Sequence, residues 1–332
     1  MARIVLGAAT SHSPMLTLDG DEWHNRAAAD ICNTKLSLAD GSLVDYDTLV
    51  GLRGEPYSKD AQPGMFRAIA ARCQAHLDRL AADIADANPD AIIIIGDDQD
   101  ELYAPGNMPS VAVYWGDEIV THSFDEELPA WLQTVAEGYG MDEPHIFPGH
   151  PALALDLIEG LMEREVDLAI ANRVTDPETA GFGHAFGFPA ERLFGGKSIP
   201  MIPVLLNTYF PPNVPRPARC FDIGRKIREA VEASSLDLRV AVLASGGLSH
   251  FVVEEDLDRE VIAGLGEPEG AILRNLPFEA LKEGSSEILN WVMAAGSVGH
   301  LTLAWSEYEP IRRTPAGTGI GCGFAVWREV AA

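Results

Sequence analysis

The stretch AIIIIGDDQDELY (residues 91–103) sets five apolar residues against a run of acids broken by one glutamine. Four of the five are β-branched, and an unbroken apolar run of this length reads as a strand covered on both faces rather than as one stripe of a helix. Such a strand, ending in Asp97, Asp98, Gln99, Asp100 and Glu101, puts polar groups at the rim of a core. Side chains alternate along extended backbone, so Asp97 and Gln99 should share one direction and Asp98 the other. Asp100 and Glu101 fit solvated loop acids.

Working outward, RIVLGA (3–8), VDLAIA (166–171), MIPVLLN (201–207), LRVAVLAS (238–245) and GIGCGFAVW (319–327) are further apolar runs of strand length. Between them, residues 65–87, 150–165 and 221–234 repeat apolar or small residues at three- and four-residue spacing, with charges opposite, as amphipathic helices do. Strands alternating with helices predict an α/β fold: a central, mostly parallel or mixed sheet with helices on both faces. With no internal repeat and no low-complexity linker, a single catalytic domain spanning residues 1–332 is expected. Residues 17–64 mix turn residues, charges and short helical patches; they read as a surface insertion, or as a lid over a site.

Composition narrows the function. Lys and Arg number 24 against 50 Asp and Glu, a net charge of -26. That field repels phosphate backbones and anionic membranes, so no nucleic-acid or membrane partner is expected. A small anionic substrate stays open, because local arginines can override a global field. Cys32, Cys73, Cys220 and Cys322 lie far apart without zinc-type spacing, the opening MARIVLGAAT reads as a first strand rather than a leader, and no apolar run approaches the ~20 residues of a membrane span. A cytoplasmic location follows as the expectation.

Three polar clusters stand just after expected strands: TSHSP, GDDQDE and SGGLSHF. Ligand sites in open α/β sheets form beyond the carboxyl ends of strands, so these clusters could converge. His12 stands at a strand-to-loop transition, as a structural residue or a ligand. His250 follows Gly246 and Gly247, which allow close backbone approach or simply a tight turn. Glu287 follows Ser285 and Ser286, candidate helix caps, and shares a helix face with Trp291, at a core margin where an acid needs a cation. His184 lies among glycines and aromatics that suit an irregular loop or a flat-ligand pocket. His145 and His150 flank a proline turn and read as structural. The alternating glycines of residues 316–323 lack a following helix and do not suggest a phosphate cradle.

The segments MARIVLGAATSHSPML, AIIIIGDDQDELY, GHPALA, GHAFGFPAERLFG, SGGLSHF and SSEILNWV resemble, in order, those of class III extradiol ring-cleavage dioxygenases of the protocatechuate 4,5-dioxygenase catalytic-subunit type. The insertion containing EWHNRAAAD is more similar to single-chain members of the 3-O-methylgallate dioxygenase kind. The resemblance implies a non-haem Fe(II) held by two histidines and a glutamate, a small catechol or gallate-type aromatic acid with O2 as co-substrate, and a homo-oligomer. Carried over, His12 and Glu287 are metal ligands, His250 is the acid/base histidine and His184 a second pocket histidine. The family's usual Asn-Asp-His is Asp97-Asp98-Gln99 here, so Gln99 takes the second histidine's place. Two other readings remain: a Mg2+ or Mn2+ hydrolase-like enzyme using the acids of residues 97–101, and a non-catalytic aromatic-binding relative.

Overall fold

The computed structural model describes residues 1–124, 128–176 and 179–329. In chain order its strands begin with β1 (Arg3–Thr10), the short hairpin β2 (Leu36–Ser37) and β3 (Leu43–Val44), β4 (Ala91–Asp97), β5 (Val111–Tyr114), β6 (Glu118–Val120) and β7 (Ile146–Pro148). They continue with β8 (Ala169–Ala171), β9 (Met201–Leu206), β10 (Arg239–Ser245), β11 (His250–Val252), β12 (Thr302–Arg312) and β13 (Thr318–Arg328). The helices are α1 (Trp23–Ile31), α2 (Tyr46–Arg53), α3 (Pro63–Ala87), α4 (Ala130–Gly138) and α5 (Pro151–Glu163). After them come α6 (His184–Leu193), α7 (Pro217–Ala233), α8 (Glu255–Gly264) and α9 (Ile288–Ser297).

Nine strands form one sheet in the order β11-β13-β1-β10-β4-β9-β5-β8, with β12 paired to β13. The β1/β10, β10/β4, β4/β9 and β5/β8 pairs are parallel, while β13 runs antiparallel to β1, β11 and β12. The sheet is therefore mixed with a parallel centre, as the alternating pattern led us to expect. All seven residues of β4 are buried. Ile93 and Ile95 pack with residues of α5, α7 and α9, and Ile92 and Ile94 with residues of α3 and α6. Cover on both faces is why this strand carries no polar alternation, and each isoleucine buried contributes roughly 1.5–3 kcal/mol.

Helix α3 shows how the pattern becomes structure. Pro63 occupies its first turn, where the missing N–H costs nothing, and Asn88 ends it in the left-handed region at φ 44°. Phe66, Ile69, Cys73, Leu77, Leu80 and Ile84 recur every three or four residues and are all buried. Truncating the fully buried Leu77 to alanine would cost about 2–5 kcal/mol.

Residues 17–64 carry the short helical patches the sequence suggested: α1, the β2–β3 hairpin and α2 pack there, and Leu36 and Leu49 form a small core with Val252 and Ala316. One feature differs from the sequence expectation. The hairpin partner β12 was not foreseen, because its charged and half-exposed residues hide the alternation of an edge strand. Among the described residues no helix is long and apolar enough to cross a membrane.

The register fixes the site. Thr10 aligns with Ser245, Ile95 with Ala244, and Asp97 with Leu206, so the loops after β1, β10, β4 and β9 leave the same edge of the sheet.

Candidate active site

His12 follows β1, and its ring is held from behind: Nδ1 lies 3.0 Å from Ser245 Oγ at the end of β10. Its Nε2 faces the Glu287 carboxylate, 3.1 Å from Oε2, yet is buried without a hydrogen-bond partner among the described residues. A donated Nδ1–H leaves the Nε2 lone pair free, which is how a second hydrogen bond prepares a metal-ligating histidine. Glu287 ends a 3₁₀ turn (residues 283–287) that runs directly into α9. The two serines before it do not cap the helix, as the sequence had suggested. Ser285 exchanges hydrogen bonds with the backbone of His250, and Ser286 Oγ donates to the Glu283 carbonyl.

Asp97, the last residue of β4, completes a cluster. Ligand atoms of His12, Asp97 and Glu287 all lie within 4.8 Å of one another, and the three side chains are buried. Asn290 Nδ2 donates to Asp97 Oδ1 at 2.9 Å and holds the carboxylate in place. Burial first, and the charge of Glu287 second, push the Asp97 pKa up to about 6. Glu287 meets the same burial penalty, but the neighbouring His250 and His12 hold it well below the usual carboxylate range. Two buried carboxylates beside an unsatisfied imidazole nitrogen form a donor set that a divalent cation would satisfy.

Gln99 turns toward this cluster, on the same side as Asp97. Its Nε2 donates to Asp97 Oδ2 at 2.9 Å and to Glu287 Oε1 at 3.2 Å. Turning the amide by 180° would present its oxygen there instead. Asp98 points the other way and accepts from the backbone N–H groups of Glu101, Leu102 and Tyr103, folding the loop on itself. Asp100 is exposed, as expected, with φ 77°. Glu101 departs from the solvated reading: it lines the cavity and lies 3.2 Å from His184 Nδ1. The acids of residues 97–101 thus diverge, and among them Asp97 alone joins His12 and Glu287.

His184 opens α6, so its backbone is helical rather than the irregular loop that the surrounding glycines suggested, and its ring lies 4.4 Å from that of His12. Burial opposes its charge, but the hydrogen bond and charge of Glu101 outweigh that and lift its pKa to about 9. That pairing favours the charged form of His184. His250 has the complementary arrangement. Its Nδ1 lies 2.8 Å from the Leu248 carbonyl, which can only accept, so Nδ1 is the donor there and Nε2 is the nitrogen turned toward the site. That Nε2 lies 3.2 Å from Glu287 Oε1. Gly284 makes the placement feasible, since a Cβ there would stand 1.8 Å from the His250 ring. Gly247 brings its N–H to 2.6 Å from Glu287 Oε2, the close approach its sequence context suggested.

Sequence reasoning did not single out Tyr209, whose hydroxyl donates to Glu287 Oε1 at 2.6 Å. Its only signal was a position just beyond the strand MIPVLLN. These groups share a cavity of about 410 Å³, walled by Phe124, Leu132, Val135, Tyr139, Phe251 and Ile320. The volume and the mix of apolar walls with convergent polar groups suit a small molecule. His145 pairs with Asp142 and Glu191, and His150 caps α5, so neither belongs to the site.

The family model described as the catalytic LigB subunit of aromatic ring-opening dioxygenase matches residues 58–311, more than half of the chain. The chain belongs to this family. The LigB match covers Gln99, His184, His250 and Glu287 but begins after His12, which joins the group by geometry alone. The chain is 27% identical over 214 residues to a 2,3-dihydroxyphenylpropionate/2,3-dihydroxicinnamic acid 1,2-dioxygenase of Comamonas testosteroni, covering 62% of this chain and 54% of that one. It is 29% identical over 107 residues to a gallate dioxygenase of Pseudomonas putida, covering 31% and 29%. A Mycobacterium ulcerans enzyme named like the first is 34% identical over 99 residues, covering 30% and 29%. The aligned regions thus span about half or less of these relatives.

Proposed function

We propose that the protein is a non-haem Fe(II)-dependent extradiol dioxygenase that opens the ring of a catechol or gallate-type aromatic acid with O2. The observation that carries this reading is the cluster of His12, Asp97 and Glu287, their ligand atoms within 4.8 Å, on a cavity shared with two further histidines. Membership of the LigB family and relatives named as dioxygenases support it.

His12 and Glu287 would hold the ion, with Gln99 in the second histidine's position and the Asp97 carboxylate beside it. Bound there, iron would supply a Lewis-acidic, redox-active centre for the substrate oxygens and O2. The chain's own residues handle protons and orientation. His250, with its proton fixed on Nδ1, uses Nε2 to take the proton of a substrate hydroxyl and later to return it. His184, charged through its pairing with Glu101, cannot act as a base near neutrality; it donates a hydrogen bond and places positive charge where an anionic oxygen develops. Tyr209 orients Glu287, and the apolar walls keep a flat ring and exclude bulk water. Four free cysteines, three of them buried, suit a reducing cytosol, where we place the protein.

The deciding experiment is oxygen uptake by Fe(II)-reconstituted protein against a panel of catechols and gallates. Stoichiometric uptake with a ring-opened product is expected. Protein that binds iron yet consumes no oxygen with any member would overturn the reading in favour of a non-catalytic aromatic binder. The hydrolase reading has lost its basis, because the acids it needs point in different directions.

A further inference from the structure

Two cations line the same cavity and have no part in the chemistry above: Arg26 on α1 of the insertion and Arg313 just after β12. Both are tied to one carboxylate. Arg26 Nη1 lies 2.9 Å from Asp30 Oδ1, and Arg313 reaches Oδ2 through Nε at 2.7 Å and Oδ1 through Nη2 at 3.1 Å. Thr318 Oγ1 adds a fourth donor to Oδ2 at 2.9 Å. Asp30 is fully buried and its oxygens are fully engaged.

The charges do not balance. Two guanidinium groups face one carboxylate, which leaves one positive charge in excess at the cavity wall of a protein whose net charge is -26. The two acids that line the cavity have other partners: Glu101 lies against His184, and Glu287 clusters with His12 and Asp97. Burial, and then the proximity of Arg313, lower the pKa of Arg26, the mark of like charges held together away from water. Among the described residues Asp30 is the hydrogen-bond partner of Arg26, so most of its five donors remain available. Unpaired charge in such a place is costly unless an anion completes it.

The surroundings say which anion. Arg26 stands 5.3 Å from the centre of the Phe251 ring, and the His250 ring lies 5.4 Å from that of Phe251. The cation and the acid/base histidine thus both pack against Phe251 in the lining of one cavity. A molecule with ionisable hydroxyls at one end of a flat ring and a carboxylate at the other matches that wall.

We propose that Arg26, backed by Arg313 and Asp30, is the subsite for the carboxylate of an aromatic acid, so that the insertion carries substrate selectivity. A planar guanidinium offers a carboxylate two parallel hydrogen bonds, the geometry that favours this pairing over a point charge. The inference rests on the dioxygenase reading for the identity of the ring chemistry, and on charge balance for the subsite itself.

The test compares the wild type with Arg26→Gln and Arg26→Lys in two arms. In the first, kcat and KM are measured by oxygen uptake for a gallate-type acid and for its methyl ester. Arg26→Gln should lower the acid-to-ester ratio of kcat/KM about 10- to 100-fold, mainly through the KM of the acid, and Arg26→Lys should lower it less. In the second, 4-hydroxybenzoate, which lacks vicinal hydroxyls, is titrated calorimetrically into metal-free protein, and its affinity should fall by a similar factor in Arg26→Gln. Equal losses for acid and ester, together with unchanged 4-hydroxybenzoate affinity, would show that Arg26 merely ties α1 to the sheet, and would overturn the proposal. If no catechol is consumed even by the wild type, the calorimetric arm still decides the subsite, and the failure belongs to the dioxygenase reading instead.

Discussion

Replacing Glu101 by glutamine should change the titration of the histidine it pairs with and, with it, the pH dependence of stability. His184 is lifted from an ordinary 6.5 to about 9, against the burial that opposes its charge, chiefly by the hydrogen bond and charge of Glu101. Converted at 1.36 kcal/mol per tenfold, that displacement is worth about 3 kcal/mol. The figure lies at the lower end of what breaking a buried ion pair costs. A histidine whose folded pKa is raised contributes stability that is complete below the unfolded pKa and is lost as pH rises through the folded one. The gap in unfolding free energy between wild type and Glu101→Gln should therefore be about 3 kcal/mol near pH 6, shrink between pH 6.5 and 9, and reach a low plateau above. Urea denaturation of chelator-treated protein across that range gives the gap directly. Carbon-detected NMR of the His184 ring gives its midpoint, near 9 in the wild type and at or below 6.5 in the variant. A wild-type midpoint near 6.5, or a gap that does not vary with pH, would refute the reasoning.

His12→Ala should abolish iron binding, read by metal analysis after reconstitution, while circular dichroism stays that of the wild type; retained iron would remove His12 from the donor set. His250→Ala should keep its iron and lose turnover by roughly 10²–10⁴, the range of a positioned acid/base, and an unchanged rate would exclude His250 from proton transfer. Gln99→His should tighten Fe(II) binding in a competitive chelator titration, because imidazole suits iron better than an amide does and Gln99 already stands 3.2 Å from Glu287. Loss of metal in that variant would mean that the amide serves another purpose.

Much of this arrangement was legible in the chain, for identifiable reasons. β4 was readable because cover on both faces demands an unbroken apolar run, and the loops after it, after β1 and after β10 were readable as neighbours because parallel strands send their carboxyl ends to one edge. The directions of Asp97, Asp98 and Gln99 followed from strand alternation. What escaped the sequence depends on partners far along the chain. Glu101 looks like a solvated acid until His184, 83 residues later, is folded against it. Asp30 and Arg313 form their ion pair across 283 residues, and no local pattern announces either. β12 was hidden because an edge strand carrying half-exposed charges has no apolar periodicity to display.

The position of β1 in the sheet has a consequence for how the protein comes into being. It lies between β10 and β13, so β1 is wedged between strands synthesised more than two hundred residues later. A growing chain cannot assemble the His12–Glu287 pair until residue 287 has left the ribosome. A fragment cut to residues 58–311 would lose His12 and two interior strands, β1 and β13, together, leaving the facing backbone groups of β10 unpaired. Closure of that pair is therefore a late event, reached only when segments 275 residues apart have found each other.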